Sequence, residues 1–223
     1  MPRSRVVRPL VVVILAVGVV LPVVAIGVAR WLPPPVTPFM LARAVFGGAT
    51  MEHQWIGLHS MSPALVRAVV AAEDARFLQH HGFDWTEVES ALRDNQRGRR
   101  LRGASTISMQ CARTLFLWPG RSMLRKAIEA YLTVLLELLW SKARILEVYL
   151  NLVEWGDGIY GCEAAARHAF GVSCAALDAE QAARLAAVLP LPRHWSARRP
   201  SPSVRHRARV ILERMPQVAV PAR

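Results

Sequence analysis

From Leu10 to Ala29 the chain runs for twenty residues without a charge, LVVVILAVGVVLPVVAIGVA. At ~1.5 Å of rise per residue, a helix of that length spans a hydrocarbon core of ~30 Å, so the segment predicts a transmembrane anchor. Arg3, Arg5 and Arg8 precede it, and the positive-inside rule keeps residues 1–9 in the cytoplasm and sends everything after Arg30 outside. A cleaved signal peptide is the competing reading, but its apolar region is usually shorter, ~7 to 15 residues. Pro33, Pro34, Pro35 and Pro38 then stiffen a connector and membrane-proximal segment over residues 30–49.

Beyond the connector, apolar positions recur at helical spacing. Ser62-Pro63, a cap followed by a first-turn proline, opens a helix predicted to run to about Gln79. Ser105, after Gly103, predicts the cap of a second helix. A long third helix over 122–151 is predicted by Leu124, Ile128, Leu132, Leu135, Leu139, Leu146 and Leu150 at three- and four-residue steps. Gly156, Gly158 and Gly161 turn the chain before two Ala-rich stretches, Cys162 to Phe170 and Ala179 to Leu189, that predict further helices. No alternating strand pattern of useful length is present. The expectation is a mainly α domain over 50–212 with a tail over 213–223.

Composition sharpens this picture. With 223 residues, 53% of them hydrophobic, the chain can bury a real core, which excludes a disordered tail or a disulfide-stapled miniprotein. Lys+Arg number 28 against 16 Asp+Glu, a net charge of +12. Such a charge suits nucleic acid, an anionic membrane surface or a phosphorylated substrate. All the cations but Lys126 and Lys142 are arginines, and a lysine that persists against that bias marks a place for a compact point charge. Cys111, Cys162 and Cys174 are too scattered for a metal-ligand cluster, and an odd number cannot all pair internally.

Three places carry candidate chemistry. Glu73 shares the predicted apolar face of Val66, Val69, Val70 and Phe77. Partial desolvation is one way proteins tune a carboxylate for proton transfer near neutral pH; the plainer alternative is a boundary glutamate paired with an arginine such as Arg76. The small residues of 103–108 leave backbone N–H groups free to hold an anion, and Arg113, Arg121, Arg125 and Lys126 follow. Together these cations could neutralise a diphosphate, against the commoner meaning of a capped helix with a solvated basic face. Glu129 lies four residues after Arg125, the spacing of a surface ion pair, yet also near the apolar stripe. A compact fold could bring it across one cleft from Glu73, as glycosyl chemistry with paired carboxylates requires.

The motifs in order resemble the signatures of the peptidoglycan glycosyltransferases. Glu73-Asp74-Ala-Arg-Phe77-Leu-Gln-His80-His-Gly82-Phe-Asp84 is followed by Gly103-Ala-Ser105-Thr106-Ile-Ser-Met-Gln110, by Arg125-Lys126-Ala-Ile-Glu129-Ala, and by Ser141-Lys142 with Ile145-Leu146-Glu147-Val-Tyr149-Leu150-Asn151. Gly158-Ile-Tyr160-Gly161-Cys-Glu163 and Glu180-Gln-Ala-Ala-Arg-Leu185 through Pro190 complete the set, over about residues 50–212. The likeness is greatest to the monofunctional biosynthetic transglycosylases, since no Ser-x-x-Lys nucleophile of a transpeptidase follows.

That resemblance implies a lysozyme-like bilobal glycosyltransferase domain behind a single N-terminal transmembrane helix, in the cell inner membrane with the catalytic domain periplasmic. It implies that lipid II is polymerised onto a growing lipid-linked glycan strand for cell wall synthesis. Inversion at the donor C1 and release of undecaprenyl diphosphate are implied with it. By position, Glu73 would be the general base and Glu129 the donor-side carboxylate. Asp74, Phe77, His80, Ser105, Thr106, Gln110, Arg113, Arg121, Arg125 and Lys126 would bind substrate. No cofactor is required, although a divalent cation at the diphosphate is compatible with the chemistry, its ligands unknown. Nucleic acid is not an expected partner; cell-division or elongation proteins are. The chain departs from the family's usual residues at Met109, at Arg113-Thr114, where lysine-asparagine is common, and at Ala169, often tyrosine. Rival readings are a lytic, glycan-cleaving enzyme of similar fold and a membrane-tethered basic binding protein.

Overall fold

A computed structural model of the protein describes residues 12–13, 16–47, 50–96, 104–120 and 122–222. Among the described residues the architecture is helical: α1 (Leu21–Ala29), α2 (Pro38–Gly47), α3 (Pro63–Glu73), α4 (Trp85–Gln96), α5 (Ile107–Phe116), α6 (Met123–Leu139), α7 (Lys142–Leu152), α8 (Cys162–Phe170), α9 (Ala179–Val188) and α10 (Pro202–Arg214). Three short strands, β1 (Glu52–His53), β2 (Glu154–Gly156) and β3 (Ile159–Tyr160), form a sheet in the order β1-β3-β2, with β1 parallel and β2 antiparallel to β3. At two or three residues each, these strands are too short to leave an alternating pattern in the sequence.

The core has two groups of helices. In one, α9 lies between α3 and α10; in the other, α5 packs on α6 and α7. The apolar faces that meet there include Leu65, Val66, Val69 and Val70 of α3, Ile107 and Ala112 of α5, Ile145 and Tyr149 of α7, and Leu185 and Ala186 of α9, all buried.

Two predicted helices end earlier than periodicity alone suggests. The helix opened by Ser62, whose side chain accepts from the Ala64 N–H at 3.2 Å, stops at Glu73, and Asp74 turns out at φ −163°, ψ 73°. Phe77 thus belongs to a separate 3₁₀ turn, Phe77–Gln79, and not to the face of Glu73. The predicted helix over 122–151 is two helices, because Trp140 and Ser141 are extended and the Ser141 hydroxyl caps the new start by accepting from the Arg144 N–H at 3.2 Å. At Ser141 a hydroxyl caps a new helix start, and at Asp74 the carboxylate is taken by the Ile107 N–H and His80; in both places these partners override apolar spacing.

At the N-terminus a π-helical turn, Ala16–Val20, leads into α1. Among the described residues no helix is long and apolar enough to cross a membrane, and the expected 10–29 span lies partly outside them. The end of α1 is tied to the domain. Trp140 Nε1 donates to the Ile26 carbonyl at 2.9 Å, Arg30 to the Leu139 carbonyl at 2.8 Å, and Arg144 to the carbonyls of Ala29 at 2.7 Å and Leu32 at 3.2 Å. The following segment is more than a connector, since it contains α2, which packs against α5.

Gly161 joins β3 to α8 at φ +82°, ψ 150°, and a Cβ there would meet the Asn151 carbonyl oxygen at 2.8 Å. Both the backbone conformation and the space exclude a side chain. Gly161→Ala is expected to destabilise the domain by about 2 kcal/mol or more, read as a lower urea midpoint; an unchanged midpoint would show that this turn relaxes freely.

Candidate active site

The site grows from the junction of α3 and α5. Asp74, the first residue past α3, is buried, and its carboxylate accepts from the Ile107 N–H at 2.9 Å and from His80 Nε2 at 2.9 and 3.1 Å. One carboxylate thereby satisfies an otherwise unpaired N–H in the first turn of α5, sits at the positive end of that helix, and holds a buried histidine. Thr106, not Ser105, is the N-cap of α5. Its hydroxyl accepts from the Met109 N–H at 3.2 Å and donates to the Gly82 carbonyl at 2.6 Å. Ser105 stands just outside, half-buried.

This junction puts Gln110, one turn into α5, beside Glu73, the last residue of α3. Gln110 Nε2 donates to Glu73 Oε2 at 2.9 Å, and the Tyr149 hydroxyl of α7 donates to Gln110 Oε1 at 3.0 Å. Burial, together with the negative charge of Glu73, pushes the Tyr149 phenol well above its usual range, so the hydroxyl keeps the proton it donates. Because Tyr149 occupies the amide oxygen, the amide NH₂ is the end that faces Glu73. On the other side, Arg207 of α10 donates to Glu73 Oε1 at 3.2 Å and to the Ala72 carbonyl at 3.4 Å. Glu73 therefore pairs with Arg207, whereas Arg76 faces Asp84 at 3.5 Å.

Gln110 also lines a cavity of about 300 Å³, with Phe39, Arg113, Glu154, Leu191 and Arg193 around it. Arg193 pairs with the buried Glu154 at 3.0 Å, while the Arg113 guanidinium has no hydrogen bond or ion pair among the described residues. A cavity with one committed and one uncommitted guanidinium suits an anionic group. Glu129 and Arg125 form an ion pair on α6. Glu129 is buried and accepts from Arg125 at 2.9 Å, and Lys126 is exposed. Among the described residues no hydrogen bond or ion pair joins this group to Glu73. Arg121 lies outside the described residues.

Phe77 and His80 pack edge to face with ring centroids 6.3 Å apart, and Lys142 Nζ stands 4.5 Å from the Phe77 ring centroid while pairing with Glu137 at 2.7 Å. One of the two lysines is thus a structural cation beneath the site. Tyr149, Glu154, Arg193 and Arg207 were not among the residues expected to form it. Tyr149 stands in the motif Ile145–Asn151 but is buried in mid-helix, and Arg207 is one of several arginines on a polar helix far along the chain. Among the described residues no group of three or more His, Cys, Asp or Glu side chains gathers to hold a metal ion.

Removing the Asp74 carboxylate orphans a helix N–H and a buried histidine. Asp74→Ala is expected to cost about 3 kcal/mol or more in urea unfolding. A loss below ~1 kcal/mol would mean that water replaces the carboxylate without consequence.

The Transglycosylase family model matches residues 41–216. A biosynthetic peptidoglycan transglycosylase of Rhodospirillum centenum is 54% identical over 199 residues, covering 89% of this chain and 86% of that protein. Those of Caulobacter vibrioides, 50% identical over 207 residues (93% and 90% coverage), and Pseudomonas aeruginosa, 48% over 201 residues (88% and 87%), are similar along nearly their whole length. By its helical fold, its ordered motifs and this similarity, the chain belongs to the transglycosylase family of peptidoglycan glycosyltransferases.

Proposed function

We propose that this glycosyltransferase polymerises lipid II, with Glu73 as the general base. In this reading Glu73 removes the proton from the 4-hydroxyl of the acceptor's N-acetylglucosamine. The oxygen attacks C1 of the donor's N-acetylmuramic acid with inversion, and undecaprenyl diphosphate leaves. The observation that carries the reading is the frame around Glu73, whose two carboxylate oxygens are each held by a donor from a different helix, Gln110 and Arg207. A base fixed at both oxygens needs no reorganisation before it takes a proton.

Arg113, uncommitted in the cavity wall beside Gln110, is the cation best free to meet the charge that develops on the departing diphosphate. Arg125 and Lys126 would act from α6, and Glu129 on the donor side, directly or through a divalent cation. Ser105 and Thr106, at the start of α5, would lie along the substrate. The N-terminal apolar segment would hold the domain at the outer face of the inner membrane, where both substrates keep their lipid tails. α1 fits that role because five hydrogen bonds fasten its end to Leu139, Trp140 and Arg144.

The test is incubation of the purified protein with labelled lipid II. The wild type should yield long glycan strands plus undecaprenyl diphosphate. Glu73→Gln should fold and bind lipid II yet polymerise ~10² to 10⁴-fold more slowly. Near wild-type polymerisation by a folded Glu73→Gln variant would remove the general-base assignment, and cleavage of preformed strands in place of synthesis would turn the reading to a lytic enzyme.

A further inference from the structure

Two of the three cysteines meet in the core. Cys162, the first residue of α8, and Cys174, at the start of the 3₁₀ turn Cys174–Ala176, are fully buried, and their Sγ atoms stand 2.8 Å apart. A disulfide bond is ~2.05 Å long, so the backbones already present the two sulfurs to each other and closure requires a shift of under about 1 Å. Cys111 is buried separately in α5.

We propose that Cys162 and Cys174 are joined by an intramolecular disulfide in the mature protein, formed by exchange with an external disulfide, either an oxidised dithiol protein or a small molecule. The proposal rests on the reading that this domain lies outside the cytoplasm, where disulfides persist. The chemistry balances. One cysteine thiolate attacks the external disulfide and expels one thiolate; the second cysteine thiolate attacks the protein sulfur of the mixed disulfide and expels the other. The two protons lost by the cysteines end on the two released thiols, the cysteine pair being oxidised and the external disulfide reduced.

The surroundings give the bond both a time and a purpose. Burial pushes the Cys162 thiol above its usual range, and no external disulfide can reach sulfurs that are closed off, so exchange belongs to folding, before α8 seats. The crosslink would close the short loop over 162–174. Its far end supports α3, because the Cys174 carbonyl accepts from the Ser62 N–H at 3.2 Å and the Leu177 carbonyl from the Ser62 hydroxyl at 2.7 Å. Ser62 caps the helix that ends in Glu73. The Cys174 N–H is itself held by Glu163 of α8 at 2.8 Å. The bond would therefore fasten the base of the helix that carries the catalytic carboxylate.

The experiment refolds the full chain in detergent from a denatured, reduced state, once with a mixture of oxidised and reduced glutathione and once with excess dithiol reductant. Thiols are then blocked with iodoacetamide under denaturing conditions. The glutathione arm should carry one blocked thiol, on Cys111, with a Cys162–Cys174 linked peptide, and the reduced arm three. The oxidised form should melt higher by roughly 6–12 °C, a difference that vanishes in Cys162→Ser/Cys174→Ser. The same peptide should be present in chain extracted from membranes with thiols blocked at harvest. Three blocked thiols in the glutathione arm, a link to Cys111, or a crosslinked form that melts no higher than the reduced one would overturn the proposal. Because refolding does not depend on where the domain resides, a crosslink in vitro with reduced thiols in membrane extracts would overturn the disulfide in the mature protein and count against the extracytoplasmic placement on which it rests, while leaving the pairing geometry intact.

Discussion

The buried carboxylate of Asp74 is the contact on which the site depends. It binds the first N–H of α5 and the imidazole of His80 at once, and so locks the end of α3 to the start of α5. Everything that follows is a matter of short chain distances. Glu73 is one residue before the lock and Gln110 is three residues beyond Ile107, so fixing the junction fixes the separation of carboxylate and amide. A buried carboxylate is costly unless its lone pairs are filled, and here the filling partners are parts of the machinery that must be aligned.

Around that junction the frame is assembled from helices that are distant in sequence. Gln110 comes from α5, Tyr149 from α7 and Arg207 from α10, and α9 keeps α10 beside α3 by packing on both. The order of donors is set from the inside out. Tyr149 is fully buried and remains protonated, its hydroxyl selects which end of the Gln110 amide faces outward, and that end holds Glu73. In the proposed reaction the apolar core would therefore act on Glu73 through one phenol.

Much of this was legible in the sequence, for identifiable reasons. The helices Cys162–Phe170 and Ala179–Val188 are Ala-rich stretches beyond a glycine turn, and their predicted ends agree with the structure to within a residue. The motif residues Glu73, Asp74, His80, Thr106 and Gln110 do converge. What was hidden was what local pattern does not encode. Apolar spacing continues through Trp140-Ser141 and past Glu73, where caps and buried carboxylates win. The partner of Glu73 is 134 residues away on α10, so nearby Arg76 was the only pairing that spacing could suggest. The cations grouped by proximity in sequence take different surroundings, since Arg113 lines the cavity while Arg125 is held by Glu129.

The central claim is that Tyr149 acts on Glu73 through Gln110. It is tested most directly by a double-mutant cycle on lipid II polymerisation, with Tyr149→Phe, Gln110→Ala and the pair combined. Tyr149→Phe should lower turnover roughly tenfold or more with little change in apparent lipid II affinity, because a small misplacement of a catalytic group is felt mainly in the chemical step. Once Gln110 is alanine, the same phenylalanine substitution should change turnover by less than about twofold. If the two losses instead multiplied as independent effects, Tyr149 would be a packing residue and the frame around Glu73 would have to be drawn without it.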